Sequence, residues 1–448
     1  MSKQPATITA TQENLKTLTA DILAEAARQG ATAAEAGIGS NSGLSVSVRL
    51  GEVETIEHIQ DRGLGVTVYF GQRKGSASTN DFAWKAIRET VQAACAIARY
   101  TSEDEYAGLA DPDRMATEMP DLDLYHPWDL ESEAAIAIAL EAENAARGFD
   151  GRITNSEGAG VDWHAGTHVY GNSHGFVGAQ SGTRHGISCA VIAGTGSGMQ
   201  RDSWYTCARD PDDLEDAARV GTRAGKRAVE RLDARQVPSC TVPVVFQAEA
   251  ATGLFGHFLG AIRGGNLYRR SSFLLEHLGK RVFPEFVRIH EQPHLSKAMG
   301  STPFDNEGVA TKPRDVVADG ILEGYLLGSY SARKLGMQTT GNAGGAHNLT
   351  VEPGDKDLAG LLQDMGTGLL VTELMGSGVN IVTGDYSRGA AGFWVEGGKI
   401  AFPVQEITIA GNLKKMFLAI REIGTDVEKR GNIRTGSVLI DKMTVAGG

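Results

Sequence analysis

The chain has 448 residues, and its 55 acidic and 43 basic side chains give a formal net charge of −12. This acidic balance argues against nucleic acid and anionic membrane surfaces as partners, because both bind to clustered Lys and Arg side chains. Four widely spaced cysteines without a CxxC pair fit a reducing compartment, and the N-terminal stretch lacks the apolar segment of a secretory signal. We therefore expect a cytoplasmic protein with two or three domains.

The first 233 residues alternate between amphipathic segments and segments with period-2 alternation. Apolar residues three and four positions apart predict helices, whereas alternation with short Gly-containing connections predicts an antiparallel meander. The polar, Pro-containing stretch 101–128 predicts a loop, and Gly171-Asn172 predicts a two-residue hairpin turn. The predicted helices are 11–29, 82–100, 131–147 and 211–232, and the predicted strands are 44–50, 53–59, 64–70 and a series over 152–203.

A candidate domain boundary lies at 233–239, around Pro238. We divide the chain there into an α+β domain, residues 1–233, and a β-rich domain, residues 234–448. Predicted elements of the second domain are strands 241–246, 368–375, 379–383, 392–395, 399–404 and 437–445 and a helix over 413–423. The fold class is therefore α+β: an N-terminal antiparallel sheet with flanking helices, and a C-terminal, mostly β domain with a few helices.

Within residues 247–273, QAEAATGLFGHFLGAIRGGNLYRRSSF, apolar residues at three- and four-residue steps from Ala251 to Ile262 predict a helix with one buried face. The stretch then ends in Gly264-Gly265 and a basic exit. Gly253, Gly256 and Gly260 interrupt the helix, and each interior Gly costs up to ~1 kcal/mol relative to Ala. A helix that accepts this cost usually has another backbone packed close against it, so we expect a tight junction here. The basic, hydroxyl-rich exit of the segment contains three candidate substrate-binding residues, Arg269, Ser271 and Ser272.

Two motif matches are interpreted as coincidental. Residues 290–294 match HExxH, which places two zinc ligands and a general base on one helical turn. Pro293 disfavours a helix there, so we predict a turn or an extended loop. Residues 171–175 match G-x-S-x-G, but strand-like residues follow, which predicts a hairpin and not a nucleophile elbow. His164 and His168 lie in strand context and are interpreted as sheet or surface histidines.

The segment 341–348, GNAGGAHN, contains enough Gly for a peptide backbone to approach it. Its candidate substrate-binding residues are Gly344, Gly345, His347 and Asn348. A structural turn is the alternative interpretation. Asp305 and Glu307, earlier in the chain, are interpreted as turn and capping carboxylates.

Several long motifs of the C-terminal half resemble the TldD/PmbA family, on its PmbA (TldE) side. The motifs are GLFGH (253–257), YRRSSFL (268–274), FDNEGVAT (304–311), YLLGSYSARKLGMQTTGNAGG (325–345), GDYSRGAAGFWVEGGKI (384–400) and GNIRTGSVLIDKMTVAG (431–447). The resemblance covers most of 250–448, whereas the N-terminal half resembles the family in length and layout. It implies a cytoplasmic peptidase assembled from two related subunits, in which peptides or unfolded segments enter an internal chamber. The TldD subunit resembles a zinc peptidase with HExxxH on a helix and a Cys ligand near the C-terminus.

This sequence departs from the zinc motif at each position that the resemblance carries over. The first His, the catalytic Glu and the second His fall on Gln247, Ala248 and Thr252. The Cys-bearing segment falls near 431–436, and no Cys follows Cys240. An amide, a methyl and a hydroxyl do not replace two imidazoles and a base for a metal that prefers N and S donors. The resemblance therefore implies no catalytic residue, metal or cofactor in this chain, and zinc in a TldD-like partner.

Three functions stay open on the sequence alone. In the first, the chain is the non-metal subunit of a TldD/PmbA-type heterodimer and shapes or gates the chamber, with a homodimer as the alternative assembly in isolation. In the second, it is a hydrolase with a different constellation, such as His257, His277 or His347 with acidic neighbours. In the third, it is a peptide-binding or maturation factor without proteolysis, which holds peptides by strand addition.

Overall fold

The computed structural model describes residues 6–447. The helices are α1 (Ala6–Arg28), α2 (Trp84–Tyr100), α3 (Ser132–Arg147), α4 (Ala217–Glu230), α5 (Ala248–Ile262), α6 (Gly264–Tyr268), α7 (Ser329–Lys334), α8 (Leu358–Met365) and α9 (Leu413–Leu418). The N-terminal strands are β1 (Ala33–Arg49), β2 (Glu52–Phe70), β3 (Arg73–Thr79), β4 (Ile153–Asn172), β5 (Val177–Ala193) and β6 (Gln200–Ala208). The first two-fifths of the C-terminal half contribute β7 (Cys240–Phe246), β8 (Ile289–Glu291), β9 (Arg314–Ala318) and β10 (Ile321–Leu322). The remaining strands are β11 (Leu349–Val351), β12 (Gly368–Met375), β13 (Asp385–Glu396), β14 (Lys399–Asn412), β15 (Ile420–Ile423), β16 (Ile433–Arg434) and β17 (Val438–Ala446).

The N-terminal strands form one antiparallel sheet in the order β3-β2-β1-β4-β5-β6. Along β1 the buried apolar residues occupy even positions from 34 to 48, so they share one face of the sheet. Helices α1 and α2 cover one end of that face, and α3 and α4 cover the other end. The predicted N-terminal sheet with flanking helices is confirmed.

The β1–β2 hairpin is longer than predicted. The predicted strands 53–59 and 64–70 are one strand, because Gly63 and Gly65 stay in the ladder opposite Gly39 and Gly37. The two-residue turn predicted at Gly171-Asn172 is also wrong. Both residues belong to β4, and the chain reverses over 173–176, where the backbone N–H of Asn172 donates to the carbonyl of Phe176. The region is nevertheless a hairpin, as predicted in place of a nucleophile elbow.

The C-terminal half holds two sheets. Strands β8 to β11 and β16 form a five-stranded sheet in the order β10-β9-β8-β11-β16. The other sheet has the order β14-β13-β12-β7-β17-β15, and β14 also pairs with β17, which closes a small barrel. Helix α5 packs into a large apolar core between these sheets, together with Phe246, Phe283 and Phe417. This confirms a β-rich second half with few helices.

Three element predictions differ from the structure, one in the type of element and two in their ends. The predicted strand 379–383 is a turn held by one bridge between Val379 and Tyr386. The predicted helix 413–423 stops at Leu418, after which residues 420–423 pair with β17. The predicted helix 211–232 begins only at Ala217, because the side chain of Asp216 accepts the backbone N–H of Arg219 and caps the helix there. Among residues 6–447, no helix is long and apolar enough to cross a membrane.

Candidate functional site

Helix α5 begins where the C-terminal segment of the chain supplies a hydrogen-bond partner. The backbone N–H of Ala248 donates to Oγ of Ser437 at 3.0 Å, and this hydroxyl donates to Asp426 at 2.6 Å. The first turn of a helix has N–H groups without intrahelical partners, so this contact anchors its start. The segment after residue 431 is thereby held against the N-terminal end of α5.

The predicted helix ends at Ile262, just before Gly264-Gly265. Arg263 is extended, and a short second helix follows it. The close approach lies at Gly264, where a Cβ would stand 2.3 Å from Oγ of Ser331. The tight junction predicted at the three glycines of α5 is wrong. A Cβ on Gly253 would meet nothing within 4 Å, and on Gly256 it would meet only Ile433 at 3.9 Å. Gly253 and Gly256 therefore face open space and leave the helix backbone accessible, whereas a Cβ on Gly260 would make an ordinary contact with Ile381 at 3.5 Å.

The open space beside these glycines is a cleft of about 470 Å³, which we call the α5 cleft. Its floor is the stripe of α5 formed by Thr252, Gly253 and Gly256. The segment 431–433 forms one wall. The rest of the lining consists of Ser203, Trp204 and Tyr205 of β6, Arg227 of α4, Glu249, Glu428 and Arg430. The N-terminal sheet and the C-terminal half therefore both contribute to the cleft.

The acidic side chains of the α5 cleft are paired with arginines. Glu249 accepts from Nη1 of Arg227 and from Nη2 of Arg430, each at 3.0 Å. Arg430 also holds Glu428 with its Nε at 2.9 Å, and Arg227 holds Asp202 at 2.9 Å. Burial raises the pKa of Glu428, but the hydrogen bonds from Arg430 lower it by more, so the carboxylate stays ionised.

Three arginine guanidinium groups lie close to the ring of a tryptophan in the cleft wall. The guanidinium carbons of Arg223, Arg430 and Arg227 lie 3.4, 4.2 and 5.3 Å from the ring centroid of Trp204. Cations over an aromatic face are attracted by its quadrupole. Next to the cleft, α4 borders a second cavity of about 580 Å³, lined in part by Arg219, Arg223, Lys226 and Gln247. The second cavity has four basic side chains in its lining and two acidic ones, Glu215 and Glu230.

Of the three positions to which the resemblance carries the zinc motif, one lines the α5 cleft. Thr252 lies in its floor, Gln247 lines the second cavity, and Ala248 is buried at the helix start. The segment carried over from the Cys ligand begins in the cleft wall. The carboxylates present are each bound by an arginine, and neither His nor Cys lines the cleft, so this donor set does not fit zinc. In the described part of the chain, no group of three or more His, Cys, Asp or Glu side chains could hold a metal ion.

The candidate residues after α5 lie outside the lining of the cleft. Oγ of Ser272 is buried, donates to the carbonyl of Ala261 at 2.6 Å and accepts from the N–H of Leu274. Ser271 donates to the carbonyl of Arg269, and Arg269 lies over the ring of Tyr268. Their assignment to substrate binding stays a prediction.

The 341–348 loop is closed by hydrogen bonds to buried side chains. Glu291, only 2% exposed, accepts from Nδ2 of Asn342 and the N–H of His347, both at 2.7 Å, and from Arg314 at 2.9 Å. Asn348 is fully buried and donates to the carbonyl of Gln292 and to Ser301. Glu291 belongs to β8, so the HExxH match is not helical, as predicted.

Gly344 and Gly345 of this loop have positive φ angles of 111° and 133°. Glycine suits these conformations because residues with a Cβ rarely adopt them. A Cβ on Gly344 would also lie 2.8 Å from the side chain of Asn306. The structure therefore explains both glycines by loop geometry, and their role in substrate binding stays a prediction.

Asp305 and Glu307 are turn and capping carboxylates, as predicted. Asp305 accepts the backbone N–H groups of Glu307, Val309 and Ala343, and Glu307 accepts the N–H of Ser329 at the start of α7. Burial raises the pKa of Asp305 to about 7 despite these hydrogen bonds.

The histidines considered for a different hydrolytic constellation have separate surroundings. His347 contacts the carbonyl of Gly341, His277 contacts the carbonyl of Leu275, and His257 packs edge-on against Tyr386. The interpretation of His164 and His168 as sheet histidines is confirmed by their positions in β4.

Sequence reasoning missed the aromatic and charged side chains that line the cleft. Trp204, Arg227, Glu249 and Arg430 are distant along the chain and match no motif. The one available signal is that Arg430 directly precedes the GNIRTG motif at 431–436.

Comparison with known proteins identifies the family. Three domains of the PmbA/TldA metallopeptidases match the chain: domain 1 over 34–98, the central domain over 125–232 and the C-terminal domain over 239–447. The chain belongs to the PmbA/TldD metallopeptidase family.

Relatives within the family resemble the chain over nearly its whole length. It is 52% identical over 414 residues to Metalloprotease PmbA of Escherichia coli O157:H7, which covers 92% of each chain. It is 51% identical over 424 residues to the Metalloprotease PmbA homolog of Haemophilus influenzae, which covers 94% of each.

Two solved structures of the family share the fold. A protein of Bacteroides thetaiotaomicron, proposed to be a modulator of DNA gyrase, superposes with a TM-score of 0.92 at 30% identity and covers 97% of this chain and 99% of its own. TldE of Thermococcus kodakarensis superposes with a TM-score of 0.82, covers 96% of this chain and 100% of its own, and at 20% identity it shows the fold alone.

Proposed function

We propose that this chain is the PmbA/TldE-like, non-metal subunit of a cytoplasmic TldD/PmbA-type zinc peptidase that acts on peptides and unfolded segments. In this proposal a TldD-like partner supplies the zinc, and this chain shapes or gates the chamber. The observation that carries the proposal is the α5 cleft. It keeps an open helix face where the family motif would lie, and its carboxylates are bound by Arg227 and Arg430.

The charge pairing of the cleft supports a role without metal chemistry. A carboxylate that accepts two guanidinium groups has its charge compensated, and a dication placed there would be repelled by the arginines. The same pairing fixes the positions of the cleft walls. Arg430 binds Glu428 and Glu249 and also donates to the carbonyl of Tyr205 on β6. This chain's residues are therefore suited to hold the shape of a passage.

The surface of the cleft suits an extended polypeptide. Gly253 and Gly256 expose helix backbone along the floor, and Trp204 and Tyr205 offer aromatic surface in the wall. Small residues permit the close approach of another backbone. A peptide strand in the cleft would contact both halves of this chain on its path to or from the partner's metal site.

The direct test is reconstitution of peptide cleavage. The purified chain and a TldD-type subunit of the family are assayed separately and mixed, with an unstructured peptide as substrate. We expect cleavage by the mixture that greatly exceeds the sum of the two separate activities. Full activity of the TldD-type subunit alone, unchanged by this chain, would contradict the proposal.

A peptide-binding or maturation factor without proteolysis is the second candidate, and the position of β6 favours it. This strand is an edge of the N-terminal sheet and borders the α5 cleft, so a peptide could add to it as a further strand. Tight binding of an extended peptide that stays uncut in the mixture would favour this candidate over the peptidase subunit.

A further inference from the structure

One face of the C-terminal barrel gathers polar side chains outside the α5 cleft. Tyr386 and Arg388 are two residues apart on β13, so they project from the same side of the sheet. His257 of α5 packs against this side, and its ring centroid lies 6.0 Å from that of Tyr386 at an angle of 73°. The three side chains therefore meet where the helix crosses the strand.

Each of these side chains has a buried polar atom without a hydrogen-bond partner. The atoms are the hydroxyl of Tyr386, Nε2 of His257 and Nε of Arg388. Tyr386 is only 2% exposed, and its other aromatic neighbour is Phe246, with a centroid distance of 6.5 Å. Native proteins leave few buried polar atoms unpaired, because each retains the full cost of its desolvation. Three such atoms in one place indicate a group that the chain itself does not supply.

The charge at this place is positive and uncompensated. Arg227 and Arg430 in the α5 cleft both bind carboxylates, whereas Arg388 forms no ion pair with any residue from 6 to 447. Burial raises the pKa of Tyr386 to about 12 and Arg388 opposes this, so the guanidinium lies close to the hydroxyl although the two lack hydrogen-bonding geometry. Burial, and then Arg388, lower the pKa of His257, which keeps its ring neutral at pH 7. No second cation therefore competes with the guanidinium.

We propose that His257, Tyr386 and Arg388 form a binding site for a carboxylate group. A guanidinium, a phenol and one tautomer of a neutral imidazole are all donors, and a carboxylate has two oxygens with about four acceptor positions for them. Charge-assisted hydrogen bonds to Arg are the stronger ones and match the planar shape of a carboxylate. A single group of this kind offers acceptor positions for all three orphan atoms and a charge opposite to that of Arg388.

The carboxylate has two sources with the same chemistry: a small free acid, or the terminal or side-chain carboxylate of a peptide. His257 lies on the same stripe of α5 as Gly253 and Gly256, at the next helical positions, so a peptide in the α5 cleft would lie near the site. The peptide source rests on the proposed function, whereas binding of a free carboxylate does not.

The first experiment needs neither a partner subunit nor proteolysis. The thermal unfolding midpoint of the full chain is measured against sodium acetate, with sodium chloride of equal ionic strength as reference. We expect a saturable rise in the midpoint for the wild type, loss of this rise in Arg388→Gln and a reduced rise in Tyr386→Phe. The matched control is Arg421→Gln, which removes an arginine that is 46% exposed and 3.6 Å from Asp441, and it should respond to acetate like the wild type.

Tyr386→Phe keeps the result interpretable if Arg388→Gln does not fold. It removes only the unpaired hydroxyl, so the ligand-free variant should be at least as stable as the wild type. A wild type without a saturable acetate response, or with one that both variants retain, would overturn the proposal and assign the three atoms to bound water.

A second experiment distinguishes the sources. Binding of an extended peptide with a free C-terminal carboxylate is compared with binding of its C-terminal amide. A free acid that binds about tenfold more tightly to the wild type but equally to Arg388→Gln would identify the peptide terminus. Equal binding of acid and amide, together with a saturable acetate response, would identify a small free carboxylate.

Discussion

The α5 cleft and the 341–348 loop are both rich in glycine, but the structure gives the glycines of each a different role. The sequence predicts ligand contact for the loop and a tight backbone junction for the glycines of α5. In the loop, Glu291 and Asn348 bind the polar groups from within, and the glycines adopt positive φ angles. In the cleft, Gly253 and Gly256 are helical and face open space. A glycine-rich segment can receive a ligand only where its surroundings leave space and unpaired polar groups. Of the two segments, we therefore favour the α5 cleft, whose glycines border open space.

The largest predicted effect concerns the closed loop. Glu291→Ala removes the acceptor of Asn342 and His347 and leaves the charge of Arg314 without its buried partner. We expect a loss of about 3–5 kcal/mol in the free energy of unfolding, measured by urea denaturation. The control Glu352→Ala removes a carboxylate that is 42% exposed from a pair with Arg288 and should cost less than about 1 kcal/mol. Equal losses for the two variants would mean that the loop is not held from within.

The charge network of the cleft should have a smaller effect. Arg430→Met leaves Glu428 and Glu249 without one guanidinium, in a cleft that is only partly shielded from water. We expect a loss of about 2 kcal/mol at pH 7. The loss should shrink in acid: the pKa of Glu428 is lowered in the folded wild type, so its contribution is present above its unfolded pKa and disappears as pH falls. Arg421→Met serves as the exposed control, and a pH-independent loss would contradict the pairing.

Asp305, next to the 341–348 loop, should give the free energy of unfolding the opposite pH dependence. Its folded pKa of about 7 lies above the unfolded value of ~3.9, so the folded state binds more protons between these two values. Stability therefore falls as pH rises from about 4 to about 7, and this component of the fall should amount to about 1 kcal/mol or more. In Asp305→Asn this component should disappear, whereas the exposed Asp355→Asn should retain it. Urea denaturation of the three proteins at pH 5 and pH 8 measures it.

The smallest effect tests the open floor directly. A methyl group on Gly253 meets no neighbour, so Gly253→Ala should stabilise the protein by about 0.5–1 kcal/mol through helix propensity. Gly264→Ala is the matched contrast, because its Cβ would lie 2.3 Å from Oγ of Ser331, and it should destabilise the protein. Destabilisation by Gly253→Ala would show that the cleft floor is in contact with another part of the molecule.

The sequence predicted those features that depend on local patterns. Helices α2 and α3 were predicted to within two residues because their apolar periodicity is strong, and the resemblance placed Thr252 and the segment after 431 around one site. Features made by pairing between distant residues could not be predicted. Residues 60–63 predict a connection between two strands, whereas the structure pairs Gly63 with Gly39 inside one continuous strand.

The same limit applies to the charges of the site. Glu249 and Arg430 are 181 residues apart, and no local pattern marks them as partners. Nor does the sequence show that Arg388 lacks a carboxylate, because this depends on every element that packs around it. The resemblance therefore indicated two segments that line the α5 cleft, and only the fold showed which of its side chains are paired.

The central claim is that this family member has kept the shape of the α5 cleft without the zinc chemistry. The most direct measurement is the zinc content of the purified chain after dialysis against zinc and then against a competing chelator, together with its peptide cleavage in isolation. We expect zinc well below one ion per chain and no cleavage. One firmly held zinc per chain, with cleavage by the isolated chain, would contradict it.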